Sequence, residues 1–563
     1  MNTQPTISVP TADAGLQALF AKELSITRAT AQVLINRGIK TSAEAHKFLN
    51  IKLEHLHDPF LFSSMPAAVS LIRSAIQKKR KILVHGDYDV DGITSLSLLK
   101  STLQRLGASV EHYIPHRLKE GYGLHKTLPA RAKDKGIKLL ITADCGTNSD
   151  EIIRQLRKQG TDVLVTDHHE PADPDAPSPA NVAINPKLKT SSYPFRELAG
   201  VGVVYKLCQA LTDSMLEDDL DLVSLGTIAD SVPLVGENRV IAKEGLLRIA
   251  GTQRLGLRTL IESSGIRDKV LKPDSVSFIL GPRINASGRM DTADVAFNLL
   301  SSVHAESARD LAKEIEQFNR KRQKVEGDIM EEALSIINND SGFDDNKVIV
   351  LAKEGWHLGV LGIVASKLVD RFNRPVILIS INEGGCRGSG RSVSHFHLFE
   401  GIASCQDLLD NFGGHQHAIG MVIPRHNIDI FKNRINEYAD SNLPDGDIIS
   451  SLSVDMELEL KDINEKFMKE LENIAPFGAG NPRPLFVTRN LRLKGQPRVM
   501  GRGTLKFWVT DGSVTHQAIG FGLSSYYDRL VEADFFDLVY NPRLDSWLGQ
   551  ESTILDIEDI YIR

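Results

Sequence analysis

Nine residues, VHGDYDVDG at 84–92, hold three aspartates and a histidine between an apolar run and a helix-like stretch. Carboxylates at alternate positions, Asp87, Asp89 and Asp91, repel one another unless a cation sits among them. Two clusters of the same chemistry follow: Asp144 in TADCG (142–146), then Asp167, His168 and His169 in succession. Asp230, in GTIADSV (226–232), offers a further carboxylate. A lone aspartate at a strand end is usually a helix cap or a turn residue. Here carboxylates and histidines recur at successive strand ends, with His85 beside the first set, and no capping argument requires paired histidines next to an aspartate. Hard divalent cations take carboxylate oxygens, and added imidazole favours Mn²⁺ or another transition metal over Ca²⁺. The residues suffice for two metals sharing one aspartate; two ions about 4 Å apart activate a water and stabilise the leaving oxygen of a phosphoester. Alternation points Asp87 the same way as Asp89 without requiring it to enter the site.

Each cluster closes a short apolar run. KILVHG (81–86), KLLITADCG (138–146) and TDVLVTDHHE (161–170) are each followed by a turn and helical spacing, the first over Ile93–Leu106. Such alternation predicts a mostly parallel sheet with helices on both faces. Ligands of open sheets sit beyond the carboxyl ends of the strands, which is where all three clusters lie. PADPDAPSPANVAINP (171–186) reads as an extended loop and LVSLGTIADSVPL (222–234) as helical. The expected divisions are a helical segment over 1–60, broken at Gly38 and Pro59, and a catalytic domain over 61–302. A charged connector helix lies within 303–346, and a second α/β lobe with strands VIVLA and PVILIS occupies 347–440. After the boundary piece DSNLPDGD (440–447), short alternating runs over 448–563 predict a small β-barrel.

A length of 563 residues suits about three or four domains. The net charge of −6 argues against a surface coated in basic groups but leaves room for a local positive groove. Seven basic residues and no acidic one lie between 481 and 510: Arg483, Arg489, Arg492, Lys494, Arg498, Arg502 and Lys506. Phe486, Phe507 and Trp508 are interleaved with them, as in a single-strand groove or as core aromatics behind a solvated face. The four cysteines have neither zinc spacing nor a disulfide framework, which fits a reducing cytoplasm. The start of the chain has neither a basic stretch nor an apolar core, so no secretory signal is expected. Apolar runs such as Val348–Leu351 and Pro375–Ile379 are too short to span a bilayer.

GSGRS (388–392) reads as a flexible turn whose N–H groups, with Ser389, Arg391 and Ser392, cradle phosphate, or as a plain surface loop. GGHQHAIG (413–420) reads as a tight glycine turn, in which His415 and His417 could be ordinary polar loop residues. The RKRQK run (320–324) reads as a solvated helix face that could also line a strand's path.

HGDYDVDG, TADCG, DHH and ADSVPL resemble the four signature motifs of the DHH phosphoesterase superfamily. YIPHRLKEGYGL (113–124), GPRINASGRM (281–290), HLGVLGIVASKL (357–368), GSGRS, GGHQHAIG and APFGAGNP (475–482) further resemble the RecJ family of single-strand-specific exonucleases. The likeness runs over nearly the whole chain from about residue 60; Ile419 stands where a smaller residue is commoner. The resemblance implies a DHH parallel-sheet domain joined by a long helix to a smaller α/β DHHA1 domain, then an OB-like β-barrel. It implies one metal held by His85, Asp89 and Asp144 and a second held by Asp91, Asp144, His168 and Asp230, as two Mn²⁺ or Mg²⁺ ions. Asp144 and His169 would be catalytic, with His169 facing the scissile phosphate. Ser389 and Arg391 would contact a 5′-terminal phosphate, with Arg117, Arg289 and His415 as neighbouring strand contacts.

The implied activity is metal-dependent 5′→3′ digestion of single-stranded DNA to 5′-mononucleotides in recombination and repair. The implied setting is a cytoplasmic monomer, away from membranes, with a single-strand binding protein and a RecQ-type helicase as partners. One alternative is a DHH phosphodiesterase of short oligoribonucleotides or cyclic dinucleotides, whose relatives usually lack the barrel. The other is a non-catalytic replication scaffold, whose relatives lose metal ligands.

Overall fold

The cluster-bearing runs fold as strands of one parallel sheet: β1 (Ile82–Gly86), β2 (Val110–Tyr113), β3 (Leu139–Ala143), β4 (Asp162–Thr166) and β5 (Val182–Ile184), in the order β2-β1-β3-β4-β5. Every residue of β1 and β3 is buried, as their unbroken apolar runs require of a sheet covered on both faces. The chain leaves β1 for one neighbour, β2, and then returns to the other side as β3. That reversal opens a crevice at the carboxyl ends of β1 and β3. One face packs on α2 (Leu128–Asp134) and α3 (Asp150–Lys158), through Leu83, Leu140 and Val163 against Leu128, Ile153 and Leu156. Behind α1 (Val90–Arg105) lie α4 (Gly200–Thr212) and α5 (Leu220–Ala229), and nearly every residue of these two is buried. Helix α1 begins three residues before the spacing suggests, because Asp89 caps it by accepting the Gly92 N–H at 3.1 Å.

The coordinates come from a computed structural model that describes residues 5–267, 270–340, 342–343, 346–382, 385–443, 451–547 and 550–562. Residues 444–447 of the expected boundary piece, and 448–450 after it, lie outside the described residues. The chain divides into two compact units: His57–Val232 with Glu244–Ser450, and Met1–Leu56 with Pro233–Lys243 and Ser451–Arg563. No single helix among the described residues is long and apolar enough to cross a membrane.

The first unit also holds α6 (Gly281–Met290) and the 34-residue helix α7 (Ala305–Asn338). At about 1.5 Å per residue, α7 reaches roughly 50 Å. It packs against α6, and its Ile329, Ala333 and Ile337 enter the core of the second lobe. That lobe is a sheet of β6 (Ile349–Glu354), β7 (Val376–Asn382), β8 (Gly385–Arg391), β9 (Asn411–His415) and β10 (Ala418–Ile423), ordered β9-β10-β8-β7-β6. Helix α8 (Leu358–Phe372) covers one face.

GSGRS is not the flexible turn its glycines suggest. Gly388, Ser389, Gly390 and Arg391 lie in β8, bonded between β7 and β10. The glycines serve packing: a Cβ on Gly388 would lie 2.9 Å from Met421 Cγ, and one on Gly390 2.8 Å from Ile419 Cγ1. Ile419, paired directly with Gly390, fills the space the glycine leaves. GGHQHAIG is the β9–β10 hairpin, closed by the His415–Ala418 pair around Gln416 and His417.

In the second unit, β11 (Phe486–Leu493), β14 (Phe536–Trp547), β15 (Gln550–Ile562), β13 (Thr515–Gly520) and β12 (Thr504–Thr510) pair in that cyclic order. Arg492 and Leu493 of β11 pair with Thr510 and Val509 of β12, closing a five-stranded OB-like barrel. The helices at Ala14–Glu23, Arg28–Asn36 and Ser42–Leu49 belong to this unit, with Ala29 and Val33 in the barrel's own hydrophobic core. Phe486 and Phe507 are core residues, whereas Trp508 is exposed. Arg489 is not a free groove cation: it pairs with Glu457 at 2.9 Å and Asp537 at 3.3 Å, acids brought from elsewhere in the chain. Arg498 sits on a neighbouring strand opposite Lys506, and Lys506 lies two residues before Trp508. The Arg502 side chain lies outside the description.

Asp455 ties the helices to the barrel segment. It accepts from Arg37 Nη1 at 2.9 Å, Asn36 Nδ2 at 3.0 Å and the Leu485 N–H at 3.1 Å, with both charged side chains 9% exposed. Removing one partner of a buried pair strands the other charge, so Asp455→Ala should cost about 3–5 kcal/mol in the stability of this unit. Urea unfolding followed by circular dichroism measures it. A loss below about 1 kcal/mol would rank the pair with surface salt bridges.

Candidate active site

After β1 the chain turns through Asp87 and Tyr88 directly into α1. The turn is tight enough that a Cβ on Gly92 would sit 2.6 Å from the backbone N of Asp87. Asp91, in the first turn of α1, aims at the start of α4 and accepts the Gly200 and Val201 N–H groups, each at 2.7 Å. Asp144 follows β3 in the left-handed region (φ 66°), a conformation a non-glycine residue holds only when its surroundings impose it. Its N–H bonds to Thr166 O at 3.1 Å, and its carboxylate lies where a Cβ on Gly200 would meet Oδ1 at 2.4 Å. Asp230 caps the end of α5.

Three groups of ligand-type atoms overlap here, each with its atoms within 4.8 Å of one another: Asp87, Asp89 and Asp144; Asp91, His168 and Asp230; Asp144, His168 and His169. His168 Nε2 faces three carboxylates, at 3.2 Å from Asp144 Oδ1, 3.6 Å from Asp230 Oδ2 and 3.7 Å from Asp91 Oδ2. Neither that nitrogen nor Asp87 Oδ1 nor Asp144 Oδ1 has a hydrogen-bond partner, although all are buried. Burial, then the neighbouring carboxylates, push Asp91 up to about 7 and hold Asp87, Asp144 and Asp230 well above the usual carboxylate range. Burial also draws His168 down to about 3 and His85 to about 4, leaving neutral imidazoles. Such a set resists ionising together and leaves buried lone pairs unsatisfied. Divalent cations resolve both conditions, so these residues fit a metal pair.

The structure brings together Asp89, Asp91, Asp144, His168, His169 and Asp230, and adds Asp87, whose place the alternation left open. His85 joins none of the three groups. Its Nδ1 lies 3.5 Å from Cys145 Sγ and its ring 5.4 Å from that of Tyr113, with Nε2 lacking a partner.

His169 is held differently. Its Nδ1 lies 2.8 Å from Asp167 Oδ1 and 2.9 Å from Tyr122 Oη. Asp167 also accepts N–H groups of Thr147 at 2.8 Å and His168 at 2.7 Å. Burial opposes the charge on both partners. The bond and attraction between them outweigh it, so Asp167 is held well below the carboxylate range and His169 is raised. With Nδ1–H engaged by Asp167, Nε2 is the atom His169 can offer to a ligand. Asp167's orienting part and Tyr122 are absent from the sequence reading. The only signal for Tyr122 was its place in EGYGL.

Opposite lies a cluster of positive charge. Arg289, at the end of α6, donates to Gly359 O at 2.9 Å. Burial and the charges of Arg117, Arg391 and Arg322 draw its pKa down to about 9. Arg391 is likewise lowered, by burial and then Arg117, and donates to Gly390 O at 2.7 Å with Ser389 Oγ at 3.3 Å. The Arg117 guanidinium lies over the Tyr88 ring, 4.7 Å from its centroid. Among the described residues no carboxylate forms an ion pair with any of these three arginines, the condition of an anion site. His415, at the hairpin tip, is lowered by burial and by the charges of His417, Arg391 and His169. A cleft of about 680 Å³ between the lobes is lined by Tyr88, Arg117, Tyr122, Leu361, Ser389 and Phe412.

Family profiles match in three places: the DHH family N-terminal domain over residues 81–227, the DHHA1 domain over 345–441 and the RecJ OB domain over 454–559. The single-stranded-DNA-specific exonuclease RecJ of Bacillus subtilis is 39% identical over 96% of this chain and 69% of its own length. That of Haemophilus influenzae is 32% identical, over 91% of this chain and 93% of its own. The chain belongs to the RecJ family. A crystal structure of RecJ from Thermus thermophilus in complex with Mn²⁺ superposes with a TM-score of 0.85 at 28% identity, covering 99% of this chain and 80% of that one. A second Thermus RecJ structure, with Mg²⁺, gives a TM-score of 0.80 at 27% identity, covering 99% and 78%. The RecJ architecture of DHH, DHHA1 and OB-like parts is the one described above.

Asp167→Asn keeps an acceptor for His169 Nδ1–H but removes the charge that favours the doubly protonated ring. Outer-shell orienting partners are typically worth 10–100-fold, so turnover of single-stranded DNA should fall by about that factor with affinity for the strand retained. Single-turnover rates at saturating enzyme, beside equilibrium binding, check this; a matching fall in affinity would show that Asp167 shapes the site rather than orienting His169.

Proposed function

We propose that this chain removes nucleotides one at a time from the 5′ end of single-stranded DNA, releasing 5′-mononucleotides with the help of two Mn²⁺ or Mg²⁺ ions. The observation that carries the reading is a buried, cation-demanding carboxylate–imidazole cluster beside Arg117, Arg289 and Arg391, whose charges act on one another and, for Arg117, on Asp87, with no ion-paired carboxylate among the described residues. Asp144 stands in two of the three ligand groups, which suits it to a shared position. His85, whose buried Nε2 has no hydrogen-bond partner, and Asp89 would lie on one side of it, with Asp87 beside them, and Asp91, His168 and Asp230 on the other. The chemistry such ions supply when bound is activation of a water and charge stabilisation at phosphorus.

The protein's own groups do the rest. His169, held by Asp167, presents Nε2 as a donor to a phosphoryl oxygen as charge builds there. Arg391, Ser389, Arg117 and Arg289 hold the 5′-terminal phosphate by forked, charge-assisted bonds. A phosphate held at a fixed distance from the metal cluster measures off one nucleotide. In the barrel, Lys506, Arg498 and exposed Trp508 suit sequence-independent contact with a strand. The setting we propose is cytoplasmic recombination and repair, as a monomer alongside a single-strand binding protein and a RecQ-type helicase; family resemblance supports it.

A digestion time course on 5′-phosphorylated, 3′-blocked single strands, in Mn²⁺ and in Mg²⁺, tests the reading. Mononucleotides should appear from the first turnover and the strand should shorten from its 5′ end. Asp144→Asn should lower the rate by roughly 10³-fold or more, as loss of one member of a catalytic unit does, while phosphate contacts elsewhere preserve binding. Release from the 3′ end, or turnover confined to dinucleotides, would sink the proposal.

End recognition gives a separate test. Arg391→Ala should weaken use of a 5′-phosphorylated strand by about 1.5–3 kcal/mol relative to a 5′-hydroxyl strand. The ratio of kcat/KM values reports it. Equal losses on both substrates would place Arg391 elsewhere on the strand's path.

A further inference from the structure

The stretch 114–127, between β2 and α2, has no helix or strand of its own, yet it carries Arg117 and Tyr122 to the cleft. Loops without ladder bonds hold a conformation only if side chains supply the missing partners. Tyr122 Oη and the Leu124 N–H tie the later part of the stretch to Asp144 O and Ser149 Oγ, and the turn that bears Arg117 is tied back to β2 through one carboxylate. Glu120 Oε2 accepts the His116 N–H at 2.7 Å, and Glu120 Oε1 accepts Tyr113 Oη–H at 2.5 Å. The Glu120 N–H donates in turn to His116 O at 2.8 Å, closing the turn from both sides. His125 Nδ1 stands 3.8 Å from Oε1.

The anchor beneath is firm. Tyr113 ends β2, its ring lies under the Arg131 guanidinium at 4.1 Å, and the His85 ring packs on it at 5.4 Å. Glu120 is 18% exposed and points into this turn, not into the cleft. Its carboxylate is kept low because the His116 N–H and the Tyr113 hydroxyl outweigh its burial. The residue it clamps, His116, immediately precedes Arg117.

We infer that Glu120 is a positioning residue for the end-phosphate contact. By fastening the 116–120 turn to Tyr113, it holds the Arg117 guanidinium against Tyr88 and among Arg289 and Arg391. Repulsion among three like charges otherwise favours moving Arg117, the one of the three carried on a loop, out of the cluster. This rests on reading the arginines as the 5′-phosphate site, and it adds that the site's preorganisation is set outside the cleft.

The test compares kcat/KM on 5′-phosphorylated and 5′-hydroxyl strands for wild type, Glu120→Ala, Glu120→Gln, Tyr113→Phe, Arg117→Ala and the Arg117→Ala/Glu120→Ala pair. Lys119→Ala, an exposed neighbour in the same turn, is the control. Glu120→Ala should lower the phosphate preference roughly 10-fold or more, the scale of outer-shell orienting partners, with the loss in KM for the phosphorylated strand. Glu120→Gln and Tyr113→Phe, which each keep part of the bonding, should fall between Glu120→Ala and wild type. The double variant should lose no more preference than Arg117→Ala alone, because both changes remove one interaction. An unchanged preference in Glu120→Ala, or additive losses in the double variant, would overturn the inference, as would a lowered melting temperature with the preference intact. If wild type shows no phosphate preference, or Arg117→Ala keeps it, the end-phosphate reading itself fails and takes the inference with it.

Discussion

The structure depends on keeping several carboxylates close together out of water. Asp87, Asp91 and Asp144 are buried and Asp230 is close beside them, with neutral His168 among them. An unneutralised group of this kind is costly, so everything around it works to hold the spacing. The α4 amides fix Asp91, the left-handed turn after β3 aims Asp144, and Gly200 leaves room for its oxygen. Parallel strands are suited to this task. Their carboxyl ends lie side by side, and the change of direction between β1 and β3 leaves a crevice no crossover covers.

The second lobe answers with the opposite charge. Arg391 and Ser389 stand at alternate positions of a central strand, on one face of its pleat. Arg289 reaches from α6 to the first turn of α8, so one guanidinium links the lobes while the cluster keeps its excess charge. Helix α7 makes this arrangement durable, because its two halves share cores with both lobes. Charges of the RKRQK run divide accordingly. Arg322 is buried against Glu326 and Asn319, whereas Arg320 is exposed and bonded to Glu316.

Glycines show where reading from sequence alone misleads. In GSGRS they read as a turn, yet they are strand residues whose missing side chains admit Met421 and Ile419 from the adjacent strand. The basic stretch at 481–510 lacks acids in sequence but not in space, since Glu457 and Asp537 neutralise Arg489. Both readings relied on near neighbours in the chain, and both were altered by partners about 30 to 50 residues away.

Local chemistry with a short period was legible from the residues in order. Apolar runs marked the strands, carboxylates and histidines closing them marked the crevice, and the charged stretch at 303–338 marked α7 within a few residues. Chain order alone could place those groups at strand ends because a parallel sheet brings all such ends to one edge. Which groups meet was settled by folding. It drew Asp87 into the cluster, set Tyr122 beside His169, and joined the N-terminal helices to the barrel's core. Those outcomes depend on distances between segments far apart in sequence, which the spacing of residues along one segment does not encode.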